Sequence, residues 1–117
     1  MGVGLYSHLD GMWNGVPVTD KGSEMIQSAA GIYYDVYEEV ADVFNPEGFN
    51  AEELAGIAKK AGMRSIIFTA RHHDGFCMFG TETTDFNSVD ATPSGRDFVM
   101  ELSEACRKEG LKFGIYF

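Results

Sequence analysis

Apolar and polar positions fall into two stretches that read alike. In residues 50–62, Leu54, Ile57, Ala58 and Ala61 recur at the i, i+3, i+4, i+7 spacing of one helix face. Asn50, with Glu53 three places on, forms a capping box, and Gly62 supplies the stop. Residues 63–69, MRSIIFT, then form a short β-branched run of the kind that makes a strand buried on both faces of a parallel sheet. The pattern returns in GRDFVMELSEACRKEG, which predicts a helix with Phe98, Leu102, Ala105 and Cys106 inward and Gly110 as its stop, followed by the strand LKFGIYF. Aligning Glu53-Leu54 with Glu101-Leu102 also superposes Lys60 on Lys108, Gly62 on Gly110 and Ile67 on Ile115. Two helix–glycine–strand units in series predict an α/β fold with a parallel sheet.

Between the units lies HHDGFCMFGTETTDFNSVDATPS, expected as a long polar and aromatic loop leaving the C-terminal end of the first strand. That edge is where parallel α/β folds bind ligands. Upstream, Asp35 is placed to cap a helix with Glu38 at its third position and a stripe of Val36, Tyr37, Val40 and Phe44, broken by Pro46 and Gly48. Residues 1–34 are glycine-rich without sustained periodicity, and predict an extended loop with a short helical stretch over 24–29. The second strand ends on Phe117, so two parallel strands with open edges are expected. Such edges can pair with a second copy of the chain, and the sequence reads as part of something larger.

Composition narrows the function classes. At 117 residues the chain holds at most one domain, and its 44% apolar content excludes a disordered chain. Eighteen acidic residues against nine Lys and Arg give a net charge of −9, scattered along the chain, which argues against nucleic-acid binding. No apolar run is long enough to span a bilayer, and MGVGLYSHLDG lacks the basic start and apolar core of a signal peptide. Gly2 begins a myristoylation-like pattern, but Ser7 sits one place beyond the usual hydroxyl position. Cys77 and Cys106 are too few for a disulfide scaffold and read as small buried hydrophobes.

The stretch TARHHDGFCMF carries the densest chemistry. A metal site needs more donors than it offers, and adjacent His72 and His73 would point to opposite faces if the strand continued through them. A turn could still bring them together. Imidazole suits proton transfer at neutral pH, yet no nucleophile motif stands beside the pair. Asp74 could orient an imidazole or cap a turn with Gly75. A third possibility is recognition of vicinal hydroxyls, because imidazole offers both a donor and an acceptor, with Phe76, Phe79, Trp13 and Tyr6 as candidate apolar platforms.

The segments GLYSHLDGMWNG, FNPEGFNAEELAGIAKKAGMRSIIFTARHHDGFCMF and TDFNSVDATPSGRDFVMELSEACRKEGLKFGIYF together resemble the α-L-fucosidases of glycoside hydrolase family 29, over almost the whole chain. GMWNG and TETTDFNSVDAT are most similar to the bacterial branch acting on α-1,3/1,4-linked fucose. The resemblance implies a metal-independent, cofactor-free, exo-acting retaining enzyme on a (β/α)8 TIM barrel, and a periplasmic or secreted parent protein. This chain would carry about strands 2 and 3 of the barrel with their helices: residues 1–34 as a substrate-loop region and 35–117 as the helix–strand repeats. It further implies that His72 and His73 hydrogen-bond fucose hydroxyls of a fucosylated oligosaccharide or glycoconjugate, and that Trp13 lies against the sugar. Met12 stands where many relatives have a hydroxyl-binding Glu, and the family's first-strand histidine is replaced by Met1-Gly2-Val3. The catalytic nucleophile and acid/base are expected beyond Phe117, since a barrel needs about 250 residues. On this account the chain holds part of the fucose pocket and does not cut by itself. The alternative is a non-catalytic sugar-binding or self-associating α/β module.

Overall fold

The protein is described here by a computed structural model that covers residues 11–18 and 25–117. Glu24, Tyr6, Gly2 and Ser7 lie outside the described residues. The first element is a hairpin of β1 (Met12–Trp13) and β2 (Val16–Pro17), paired antiparallel. Its turn has Asn14 at φ 48° and Gly15 at φ 78°. Asn-Gly tolerates two successive left-handed residues, the requirement of a tight two-residue hairpin. The expectation of an extended loop with a short helical stretch over 24–29 missed this hairpin, while a short helix does follow at Ile26–Ala29.

Two short helical segments follow, α1 (Ile26–Ala29) and α2 (Tyr34–Glu38), the latter tightening directly into a 3-10 turn over Glu39–Val43. Tyr33, not Asp35, stands at the N-cap of α2, and Asp35 falls inside the first turn without a capping bond. Tyr37, Val40 and Phe44 are buried as the stripe predicted, but Val36 is exposed. Three residues per turn, as in 3-10 geometry, keep Tyr37 and Val40 on one side and leave Val36 off it.

The second half contains α3 (Ala51–Lys60), β3 (Ser65–Thr69), α4 (Phe98–Glu109) and β4 (Lys112–Tyr116). Asn50 caps α3 by accepting from the Glu53 amide at 3.0 Å, and Asp97 caps α4 through the Met100 amide at 2.7 Å. Gly110 closes α4 at φ 68°, the left-handed conformation glycine adopts without strain. β3 and β4 pair in parallel from Ser65 with Lys112 to Thr69 with Tyr116, the α/β unit expected.

Two expectations about this half are corrected. The buried face of α3 is Ala51, Ala55 and Ala58, whereas Leu54, Ile57 and Ala61 are exposed. Small side chains let α3 approach α4 closely, so alanines meet Leu102, Ala105 and Cys106 while the larger residues turn aside. The repeat also slips. Ile67 pairs with Gly114 and Ile115 with Phe68, one residue out of step with the sequence alignment. Both helix ends superpose as aligned, with Met63 donating to Ala58 and Leu111 to Cys106, but the first unit spends one more residue before its strand begins. Since side chains alternate along a strand, that residue decides which face each one occupies.

Ile66, Phe68 and Phe113 pack onto the helices. Ile67, on the opposite face of β3, is 74% exposed, so the strand is covered on one face among the described residues and not on both. A second and larger core gathers Ile26, Tyr37, Val40, Ala41 and Phe44 with Phe76, Met78 and Phe86, closed by Phe98 from α4. The long segment between β3 and α4 is therefore partly interior. Its rings interlock edge to face, Phe44 with Phe76 at 5.6 Å and Phe76 with Phe86 at 5.1 Å. Phe76 is 2% exposed, which removes it as a platform for a ligand.

Arg96 ties the two cores. Its guanidinium donates to Glu101 and to the carbonyls of Pro46 and Phe49, and lies over the rings of Phe49 and Phe98. Replacing Arg96 with Ala is expected to destabilise the fold by about 1–2 kcal/mol in urea titrations, since the half-buried ion pair is screened and the carbonyl bonds and ring contacts supply the rest. Lys108→Ala, which breaks only the exposed pair with Glu52, is expected to leave the midpoint unchanged. Burial pushes the Cys77 and Cys106 thiols above their ordinary range. The folded chain should therefore react with a thiol reagent at pH 8 at least tenfold more slowly than the urea-unfolded chain. Because their folded pKa values are raised, both thiols contribute stability that is full below the unfolded value, 9.0, and is lost as pH rises through the folded values.

Candidate functional site

β3 delivers the histidines to the C-terminal edge of the sheet. Ala70 donates to the Tyr116 carbonyl at 2.9 Å and prolongs the strand pairing by one bond, after which the chain turns. Gly75 donates to the His72 carbonyl at 3.0 Å and holds φ 82°, a conformation that would strain any side chain. Asp74, 6% exposed, stabilises the turn from inside. One carboxylate oxygen accepts from the Phe76 amide at 3.2 Å and the other from the Tyr37 hydroxyl at 2.9 Å. Asp74 thus does the turn-capping work that its sequence position allowed, and it also anchors the turn to α2.

The turn overcomes the opposed directions expected of adjacent strand residues. The imidazole rings of His72 and His73 stand 4.5 Å apart between centroids, edge to face at 70°. His72 also faces the Tyr116 ring at 6.4 Å. Both histidines line an open cavity of about 300 Å³ with Arg71, Gly75, Tyr116 and Phe117. The Arg71 guanidinium lies 5.6 Å over the Phe117 ring, and Phe79 flanks the same ring at 6.4 Å. The cavity has a donor/acceptor wall, an aromatic wall and a fixed positive charge, a composition suited to a small polyhydroxylated ligand.

Trp13 lies elsewhere. It lines a cavity of about 500 Å³ with Asn14, Val16, Val18 and Ala30, on the hairpin side of the molecule. His72 and His73 are brought together, then, and Trp13 does not share their cavity. His73 faces a second, smaller space of about 160 Å³ bounded by Met25, Gln27, Ser28, Tyr37 and Asp74. Near Gly75, the Tyr34 hydroxyl is held above its ordinary range by burial first and by neighbouring Glu38 second, and so stays protonated. Among the described residues no group of three His, Cys, Asp or Glu side chains gathers as a metal would need. No helix among them is long and apolar enough to cross a membrane.

Several lining residues escaped sequence analysis. Tyr116 and Phe117 end a parallel strand, and the rule that singled out the HHD turn selects them equally. Tyr37, Gln27 and Ser28 carry no local signal, because only the tertiary fold brings α1 and α2 against the turn.

Comparison with known proteins fits this arrangement. The α-L-fucosidase family profile matches residues 4–117. A putative α-L-fucosidase of Caenorhabditis elegans is 42% identical over 82 residues, covering 69% of this chain and 17% of the relative. Human plasma α-L-fucosidase is 37% identical over 83 residues, with 69% and 18% covered. Among solved structures, α-L-fucosidase AlfC from Lactobacillus casei in complex with its α-L-fucose product superposes with a TM-score of 0.89 at 41% identity, covering 99% of this chain and 35% of that one. A variant of AlfC in complex with Fuca(1,6)GlcNAc gives the same TM-score at 43% identity, covering 97% of this chain and 35% of that one. An α-L-fucosidase from Vibrio sp. strain EJY3 gives 0.87 at 43%, covering 97% and 20%. The chain thus spans less than a fifth of these two curated relatives and about a third of AlfC. By family profile, relatives and structure alike, the chain belongs to the α-L-fucosidase family.

Proposed function

We propose that this chain supplies the sugar-holding part of an exo-acting, retaining α-L-fucosidase, with His72 and His73 hydrogen-bonding the hydroxyls of a terminal L-fucose. The observation that carries this reading is the convergence of two imidazoles on one open cavity at the C-terminal end of a parallel strand pair. Neighbouring ring hydroxyls present donors and acceptors at short spacing, and two imidazoles side by side answer them. Tyr116 and Phe117 offer the apolar surface against which a deoxysugar's methyl and ring face can rest. AlfC, solved with its fucose product, supports fucose as the ligand.

The helix–strand units over 35–117 are proposed as strands 2 and 3 of a (β/α)8 barrel with their helices outside, and residues 1–34 as its substrate-loop region. The parallel pairing of β3 and β4, with α4 between them in sequence and packed on one face, supports this. Trp13 is proposed to lie against the sugar on the strength of the family resemblance. Retaining hydrolysis needs two carboxyl groups about 5 Å apart across the bond, one as nucleophile and one as acid/base. Among the described residues no carboxylate lines the histidine cavity, so both are proposed to come from the remainder of the enzyme.

A second reading, a non-catalytic module that self-associates, draws on Ile67 at 74% and Phe117 at 70% exposure beside an open strand edge. Light scattering separates the two: a stable dimer without fucose binding would favour the module.

L-fucose titrated into the chain and followed by NMR should perturb His72 and His73, and either His→Ala substitution is expected to weaken binding at least fivefold, the worth of about one net hydrogen bond. The 117-residue chain should bind 4-nitrophenyl α-L-fucoside without sustained release of nitrophenol. Steady turnover lost on His72→Ala would show instead that the chain cuts unaided. The α-1,3/1,4 preference drawn from the sequence competes with the α-1,6 disaccharide held by the AlfC variant. A panel of fucosyl disaccharides with the three linkages, ranked by affinity, decides between them.

A further inference from the structure

The histidine cavity contains a cation that hydroxyl binding leaves unused. Arg71 stands in its wall with both histidines, Tyr116 and Phe117, half-buried, and among the described residues its guanidinium forms no ion pair and no side-chain hydrogen bond. The other arginines differ. Arg96 is answered by Glu101 and two carbonyls, while Arg64 and Arg107 are exposed on the surface. We propose that Arg71 binds a sulfate ester carried on the fucose ring, so that the terminal sugar this cavity accepts is an O-sulfated L-fucose. The inference rests on the fucosidase reading above and names the substrate class of that same site.

Arg71 is held in place before any ligand arrives. Its backbone forms an antiparallel bridge with Cys77, and the preceding residue, Ala70, accepts from the Met78 amide at 2.8 Å. At the other end of the side chain, the guanidinium lies 5.6 Å over the Phe117 ring, a cation–π contact that restrains it. Gly75 leaves the space beside it open, since a side-chain carbon there would stand 3.7 Å from Arg71 Nη2, in contact with it. A planar fork restrained in this way loses little freedom on gripping an oxyanion. The neighbouring carboxylate is committed elsewhere. Asp74 turns one oxygen to the Tyr37 hydroxyl and the other to the Phe76 amide, and it borders the smaller space rather than this cavity.

The sugar decides which anion fits. The charge shares one cavity with the imidazoles that hold the ring hydroxyls, so the anion belongs on the fucose itself and not on the sugar beyond it. Fucose carries a methyl group at C6, which excludes a carboxylate there and leaves an ester on a ring hydroxyl. A phosphate ester bears close to two charges at neutral pH and calls for a second cation. A sulfate ester bears one, the charge Arg71 supplies, and its oxygens match the parallel N–H groups of a guanidinium. The cavity volume of about 300 Å³ equals roughly ten waters at ~30 Å³ each, room for a monosaccharide with one small substituent. The net charge of −9 repels an anion at long range, but physiological salt screens exposed charges beyond about 8 Å, so the local cation governs binding.

The test titrates the 117-residue chain by NMR with L-fucose, with its 2-, 3- and 4-O-sulfates, and with inorganic sulfate. At least one monosulfate is expected to bind about fivefold more tightly than fucose, with the Arg71 Nε–H signal shifting for it and not for fucose. Arg71→Gln should bring the ratio of the two dissociation constants to one or below, and Arg71→Lys, which keeps the charge without the fork, to a value between. Equal or weaker binding of all the monosulfates by the unsubstituted chain overturns the sulfate site and leaves the fucose reading standing. Inorganic sulfate binding as tightly as the best monosulfate overturns it as well, because charge alone then suffices. If neither fucose nor any monosulfate binds, the fucose reading falls and the sulfate site with it.

Discussion

The site depends on how residues 76–78 are fixed. Cys77 donates to the Phe86 carbonyl and accepts from Ser88, Met78 donates to Ala70, and the Met78 carbonyl accepts from the amides of both Phe98 and Val99. Phe76 and Met78 meanwhile sink into the larger core. The chain leaving β3 is thus forced back within a few residues, because its next apolar groups must reach an interior already set by α2 and α4. What is left at the apex is the HHDG turn. The turn's own bonds, from the Gly75 amide to the His72 carbonyl and from the Phe76 amide to Asp74, act together with the core packing beneath it, and this allows a polar turn to be both rigid and exposed.

Much of this was legible in the sequence where local physics decides. The Asn50 cap, the Gly110 stop and the inward face of α4 all follow from spacing, and each is found. The face of α3 was misread because hydrophobic spacing weights large side chains, whereas close helix approach favours Ala51, Ala55 and Ala58. The sequence alignment sets Ile67 on Ile115 where the pairing sets Ile67 beside Gly114, because nothing local counts the residues between a helix stop and the first paired residue. The segment after β3 was expected as a loop because polar residues outnumber apolar ones there. It holds no helix or strand, but Phe76 and Phe86 within it are buried in the larger core while Phe79 is only partly so.

The candidate site divides along the same line. His72, His73 and Asp74 were conspicuous because they cluster in sequence at a strand end. Their convergence was not, since it needs the turn that Gly75 and Asp74 make together. Tyr37 was expected only as a core residue. It is one, and its hydroxyl reaches Asp74 across 37 positions of chain. A buried tyrosine seeks a partner for its hydroxyl, but the identity of the partner is a property of the fold.

The sheet itself explains why the cavity is shallow. Two parallel strands are marginal alone and draw their stability from α3 and α4 on one face. Ile67 and Tyr116 share the other face, which nothing covers among the described residues. His72 stands at its rim, against the Tyr116 ring. A ligand there meets imidazoles that remain in contact with water along one side, so each hydrogen bond to a hydroxyl replaces one to solvent and returns only its small net worth. Covering that face would deepen the cavity and remove the competing water at once, which couples burial of the apolar sheet to the strength of the grip on the sugar.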